Sequence, residues 1–570
     1  MSRLASALAL VISCFPVVLS AQEQIVDLPQ RGLQVWPNQA PKDCPFEPSK
    51  DLTGILFTGV HSDYRCGDTW YPSWAADGNQ YSPWTDGATD GMGSSSGGEG
   101  AETANSVMIG DDPLKLVIRN TSPTQKASPR PYEGRYPCGT LVHNGVWYYS
   151  TYCLGPAGTV RHEGMDWNWP VLGPLPGFRI SKDFGKTWTP SPLSPEKPLF
   201  PEPRQFMGPV KMGAPHFVDF GRNMEHSPDG KAYLVGMGAE ENDPKPRYAN
   251  LSWITADQVY MARVTPSVET INDVAKYEFF GGHDGAGKPI WTPDFGKIRP
   301  LVDWNNNMGC VTVTYNAPLK KYLMCVTDGW PTVAKMHSYI LEADALTGPW
   351  RLVVYMKDFG EQGYFLNFPS KFIGRDGRSL WLCYSANFSP GWNGVVLKFN
   401  PRGGRYGLCL HEVRLLVSGE KVPDAPKSWL ESPENVAPKA RIEVSSVYDG
   451  YRAEGAIETV PEGFPGDISR EWATKGQQAG AWLKLSWDSP QAVSRVVLVD
   501  RPNDLDRITA GKIEFSDGSS IDVQTPLPDD GAKALEVRFA PKTITWLKYT
   551  VTAVKPNSPN IGLAEIAVMR

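Results

Sequence analysis

Long amphipathic helical patterns are scarce in this 570-residue sequence, and past the N-terminus no stretch approaches the ~20 apolar residues of a membrane span. Basic charge is not in excess either. Lys and Arg number 56 against 62 Asp and Glu, a formal net charge of -6. That balance, with no basic run, excludes nucleic acid as an expected partner. No CxxC or CxxxC pair occurs, which argues against a thiolate zinc site. Histidine is rare, with only eight residues, so a search for imidazole chemistry is short.

The one apolar run is N-terminal. Residues 1–24, MSRLASALALVISCFPVVLSAQEQ, carry a basic Arg3, an apolar stretch to Leu19 and small residues at Ser20 and Ala21. They read as a secretory signal peptide over 1–21, cut between Ser20 and Glu23, so a secreted, extracellular protein is expected. Without Cys14, eight cysteines remain, and an even number in an exported chain permits disulfides. A hairpin turning at Ala317 and Pro318 would set Cys310 opposite Cys325. Cys138 and Cys153 flank a second hairpin, at Asn144 and Gly145, with an offset register. Sequons stand at Asn120, Asn250 and Asn387.

Proline (51) and glycine (55) are abundant and spread between short β-rich runs, an all-β pattern. Four runs look alike: GVWYYSTYCL, GKAYLVGMGA, KKYLMCVTDGW and RSLWLCYSANF. Each follows another short apolar run, GTLVH, PHFVDF, CVTVTY and SKFIG. Recurring hairpins across 51–420 predict a β-propeller, the expected catalytic domain. Residues 181–188 match the Asp-box S-x-D-x-G-x-T-W: Asp183 would cap a tight turn, Gly185 would take a positive φ and Trp188 would bury beneath. After a Pro-, Glu- and Ser-rich linker over 421–440, residues 441–570 alternate with period two, as in an antiparallel sandwich.

The densest polar-aromatic stretch is 57–87, FTGVHSDYRCGDTWYPSWAADGNQYSPWTDG. Flat rings that stack on sugars, interleaved with carboxylates, a cation and an imidazole, suit a carbohydrate cleft. The alternative is a glycine-punctuated loop whose tryptophans plug neighbouring blades. A flexible Gly/Ser-rich run, 91–102, follows directly.

Two resemblances go further. The order of REWAT with Trp472, GAWLKLSW, VSRVVLVDRPN, FSDGS, WLKYTV and GLAEIAV resembles the F5/8 type C (discoidin, galactose-binding-like) family. It implies a jelly-roll β-sandwich that binds glycans or surfaces, with no ligand residue carried over. The blocks 68–87, 213–236 and 363–388 resemble seven-bladed propeller L-rhamnose-α-1,4-D-glucuronate lyases, which remove the rhamnose cap of arabinogalactan-type glycans. That resemblance implies seven blades and a lyase acting on a uronate-containing plant or microbial polysaccharide or glycoprotein glycan.

β-Elimination at a 4-linked uronate needs a base at C5, an acid at the leaving oxygen and a group that neutralises the carboxylate. Among the histidines, His61 leads for acid or base, with His216 and His226 behind it. Arg222 leads as carboxylate clamp, with Arg65 and Arg247 as further guanidinium candidates. Trp70, Tyr71 and Trp74 are expected sugar platforms; Asn305, Tyr364 and Asn367 are expected hydroxyl or carboxylate contacts. Ca2+ is the one cofactor candidate, through Asp68, Asp77 and Asp86, without EF-hand spacing. Two other readings stay open: a propeller glycosidase, including sialidase-like chemistry, which would depend on Asp, Glu or Tyr, and a non-catalytic glycan-binding protein.

Overall fold

The computed structural model describes residues 21–28, 33–97, 100–126, 136–152, 154–157, 160–162, 165–167, 170–202, 210–240, 255–328, 335–387, 400–422, 428–464, 468–503, 505–529 and 532–570. The signal-peptide stretch, Cys153 and Arg247 lie outside them. The chain divides into two compact units, Gly32–Ala425 and Pro426–Arg570, the latter joined by the N-terminal residues up to Arg31. Among the described residues the only helical elements are short 3-10 turns.

In the larger unit five sheets form a propeller-like ring. Their innermost strands, in ring order, are Ser73–Trp74, Tyr136–His143, Gly213–Phe217, Gly309–Asn316 and Tyr364–Asn367. Each of the last four pairs with the strand after it: Val146–Tyr152, Ala232–Gly238, Lys321–Asp328 and Ser379–Ser385. These four partners are the repeated aromatic runs of the sequence. The fifth blade closes the ring. Leu52–His61 from the start of the unit pairs with Cys409–Val417 from its end, so both ends of the unit are held in one sheet.

All five inner strands share a backbone device. In each, the pairing with the second strand slips by one residue, and a residue inside the slip is left-handed: Thr69 (φ 68), Gly139 (φ 53), Ala214 (φ 41), Cys310 (φ 38) and Phe365 (φ 57). These are β-bulges, which bend a strand and re-aim the side chains that follow. A five-fold bulge layer thus encircles the axis.

The sequence resemblance implied seven blades; the described residues form five. Extra strands thicken blades instead of adding to their number: Glu278–His283 and Pro289–Thr292 extend the blade of Gly213–Phe217, and two small ribbons occupy the segment between Val146–Tyr152 and Arg179–Ser181. The bulge also decides the proposed Cys310–Cys325 bridge. Thr312, not Cys310, stands opposite Cys325. Cys310 packs in the axial core and Cys325 in a separate cluster with Ile340 and Leu382, and both thiols are free.

The Asp-box forms as its spacing predicts. Asp183 accepts from the Thr187 backbone and hydroxyl, Gly185 has φ 87, and Trp188 packs edge-on against Trp147 and Tyr149. The Asn144–Gly145 turn has φ 50 and 79, the left-handed pair that a two-residue hairpin demands.

The smaller unit is a β-sandwich built on the strand order Arg441–Val444, Trp482–Val499, Lys533–Val554, Ile508–Phe515 and Ser520–Val523. Its core is apolar, with Trp472, Leu483, Leu485, Leu547 and Ile566 fully buried. Gln22–Asp27 adds to the edge of Lys533–Val554. Residues 429–440, read from sequence as linker, belong to this unit, where Leu430, Val436 and Ala437 are buried.

Candidate functional site

A cleft at the propeller axis is lined from all five blades by Tyr71 and Trp74, Leu141, His216, Thr312 and Asn367, and Asp219, Gly221 and Met224 also line it. The residues two positions past each left-handed residue are Tyr71, Leu141, His216, Thr312 and Asn367. Every one of them lines the cleft. The bulge layer therefore aims this ring of side chains at the axis.

His216 is the group with spare chemistry there. Its ring lies against Tyr71, tilted by 34° with 3.8 Å between centroids, it is 4% exposed, and its Nδ1 has no hydrogen-bond partner. Burial alone pushes its pKa down to about 3, so the imidazole is neutral. Burial also drives the Tyr71 phenol well above its usual value; the Cys310 thiol stands against it. Asp219 is the cleft's carboxylate. It accepts from the Ser370 backbone and hydroxyl and from Gly221 N–H, so its oxygens serve the fold.

Beside the bulge layer lies a second constellation. Asp68 accepts from the Tyr364 hydroxyl at 2.8 Å and from Thr69 N–H at 2.5 Å. Its carboxyl is pushed up to about 7, first by burial and further by the Asp86 charge, against the Tyr364 hydrogen bond. A carboxyl poised there carries a transferable proton at neutral pH.

The other expected site residues are dispersed. His61 ends a strand of the closing blade, stacked on His411 at 5.3 Å and with Asp63 at 3.6 Å. Gly403 packs directly on its ring, and it does not line the cleft. Trp70 is buried face to face with Trp84 at 6.2 Å and 11°, its indole N–H on Gly67 O. It is a plug between blades, not a platform, because it is 3% exposed and packed among Trp84, Phe372 and Leu410. Trp74 lines the cleft with Tyr71. Asn367 lines it too, though its amide nitrogen is committed to the Trp70 and Phe365 carbonyls. Tyr364 belongs to the Asp68 pair. Arg222 is exposed, donating to the Ala76 carbonyl, and does not itself line the cleft. His226 is exposed beside Glu225 and Tyr315. Arg65 is exposed in the loop before Asp68, and Asn305 is exposed and donates to Asp257.

The three aspartates weighed for Ca2+ are engaged separately: Asp68 as above, Asp77 by Tyr81 and Asn79, and Asp86 by Ser96. No group of three or more His, Cys, Asp or Glu among the described residues is placed to hold a metal ion. Sequence reasoning missed Asp219, which sits in the PHFVDF run, and passed over Asp68 as an acid although it lies in the densest stretch. Its burial was the missing signal.

No curated protein matches the chain. A family model described as "Domain of unknown function (DUF7402)" matches residues 435–569. Among solved structures, a family 32 carbohydrate-binding module of NanJ from Clostridium perfringens in complex with galactose is 18% identical, over 24% of this chain and 98% of its own, with a TM-score of 0.20. Another module, CBM32-5 from the same organism, in complex with GalNAc-β-1,3-galactose, is 13% identical over 24% and 99%, TM-score 0.20. A chitosan-binding module from the chitosanase/glucanase of Paenibacillus sp. IK-5, in complex with chitotriose, is 20% identical over 24% and 100%, TM-score 0.19. Each of these structural likenesses spans about a quarter of the chain, and the family match falls within the sandwich unit.

Proposed function

We propose that this protein is a secreted carbohydrate-active lyase that cleaves rhamnosyl-glucuronate linkages of arabinogalactan-type glycans by β-elimination in the axial cleft. The observation that carries this reading is His216: a neutral imidazole in the axial cleft, packed against a phenol, with an unpartnered nitrogen. Elimination needs a neutral base and a phenol or imidazole acid rather than two opposed carboxylates. His216 takes the C5 proton. The C4–O4 bond breaks as the C4=C5 bond forms, and the Tyr71 hydroxyl supplies the proton to the departing oxygen. A uronate carboxylate entering the same apolar cleft favours the protonated imidazole and raises its basicity from the resting value. Arg222, next in the chain to the lining residue Gly221, is the candidate to pair with that carboxylate.

Asp68 favours a second reading. A buried carboxyl protonated near neutrality is the general acid that glycoside hydrolysis requires. One experiment separates the two. The full chain is incubated with a rhamnosyl-glucuronate disaccharide or gum arabic, and both ultraviolet absorbance of the unsaturated uronate and released rhamnose are followed. The lyase reading expects both to rise together, and His216→Gln to lower the rate at least 100-fold. Released rhamnose without absorbance, lost in Asp68→Asn but kept in His216→Gln, would replace elimination with hydrolysis. Retained glycan binding with no product would leave a non-catalytic lectin-like protein.

A further inference from the structure

The sandwich carries an outward sheet face with a composition its fold does not need. In Trp482–Val499 and Lys533–Val554, Leu483, Leu485, Leu547 and Tyr549 point into the core. The alternate residues Trp482, Lys484, Ser486, Trp546, Lys548 and Thr550 therefore point outward, and all are partly exposed. Cross-strand register arranges them in rows. Trp482 stands opposite Thr550, which is followed by Lys512 on the next strand; Lys484 stands directly opposite Lys548; Trp546 stands opposite Ser486, which is followed by Arg441. Each ammonium reaches diagonally over an indole: Lys484 over Trp546 at 5.5 Å and Lys548 over Trp482 at 5.1 Å.

Like charges directly opposite on a sheet cost stability, and the diagonal cation–π contacts offset only part of that. Glu443 and Glu514 flank the lysine row at its two ends, yet neither lysine makes an ion pair among the described residues. Two indoles about 13 Å apart along the strands, with cations between and beside them, have the spacing of an oligosaccharide rather than of one sugar. At the rim, Lys512 stands opposite Asp522 and Arg441 pairs with Asp488 at 3.7 Å, so the positive charge without an ion pair is that of Lys484 and Lys548, between the two indoles, where an anionic strand would lie.

We infer that this face binds a carboxylated polysaccharide: Trp482 and Trp546 stack on sugar rings while Lys484 and Lys548 turn off the indoles to pair with uronate carboxylates. The site is separate from the axial cleft and does not rest on the reaction performed there.

The test is affinity electrophoresis and titration calorimetry of the full chain with polygalacturonate, and with neutral dextran as the comparison. Binding to polygalacturonate is expected, weakened at least tenfold by Trp482→Ala with Trp546→Ala and by Lys484→Gln with Lys548→Gln, and falling with added salt. Dextran is expected to bind at least tenfold more weakly. The lysine variant keeps both indoles and changes only partly exposed side chains, so it reports on binding even if the tryptophan pair unfolds. The inference is overturned if polygalacturonate does not bind, if the lysine variant binds it as the parent does, or if a folded tryptophan variant does.

Discussion

Two buried titratable side chains at the axis store opposite pH dependences. Burial raises the Asp68 carboxyl from 3.8 to about 7. The folded state then holds a proton that the unfolded chain releases, so stability falls as pH rises from 3.8 to 7. His216 is lowered from 6.5 to about 3; the unfolded chain binds the extra proton, and stability falls as pH drops from 6.5 to 3. Replacing each by a neutral amide removes its dependence. Relative to the parent, Asp68→Asn is expected to gain on the order of 2–4 kcal/mol between pH 4 and pH 8, and His216→Gln to gain in the reverse direction, from pH 8 to pH 4. Denaturant melts at the two pH values check this; differences that do not change with pH would mean the groups are solvated. At this scale the sequence was only partly legible. Tyr71, Trp74, His216 and Asn367 were readable as cleft residues from residue type and neighbourhood. His61 and Trp70 were not separable from them, because imidazole and indole serve packing as readily as recognition, and only the His411 and Trp84 stacks reveal which.

The bulged inner strand is the element that makes the cleft. Its conformation recurs five times on Thr69, Gly139, Ala214, Cys310 and Phe365, which share no chemistry. Backbone geometry, not residue type, is the repeat, so no pattern search on this sequence would have found it. The hairpins that carry the bulges were visible, because turns such as Asn144–Gly145 and alternating aromatic runs announce themselves. One partner was misplaced: SKFIG overlaps the 3-10 turn Ser370–Phe372, and the inner strand is Tyr364–Asn367 just before it. Strain at the bulges is testable. A Cβ at Gly139 would sit 2.9 Å from the Phe178 ring and 3.1 Å from the Pro215 carbonyl at φ 53, so Gly139→Ala should cost roughly 1–3 kcal/mol. Ala214→Gly, which relieves a left-handed alanine, should be neutral or stabilising by up to about 1 kcal/mol. Equal effects of the two in chemical denaturation would rule out the bulge as a strained device.

At the scale of the whole molecule, the two units are fastened in different ways. The propeller closes on itself through Leu52–His61 and Cys409–Val417, whereas the sandwich takes its edge strand, Gln22–Asp27, from residues that precede the propeller in the chain. Glu23 strengthens that edge by accepting from the backbone N–H groups of Gln524 and Thr525. The sandwich was readable from period-two alternation in long strands, but this strand was not. Six residues with two acids and two glutamines carry no strong β signal, and pairing supplies what propensity lacks. Removing residues 22–27 leaves residues 533–538 paired only with Trp482–Val499 on their other side, and an open edge is both less stable and prone to association. Calorimetry of the intact chain should resolve two transitions, one per unit. The deletion should lower only the sandwich transition, by several degrees for a unit of this size, and raise concentration-dependent association. Glu23→Ala should give a smaller shift of the same transition. A shift in the propeller transition alone would mean that the N-terminal strand supports that unit instead, and the sandwich edge would then need no partner from the chain's start.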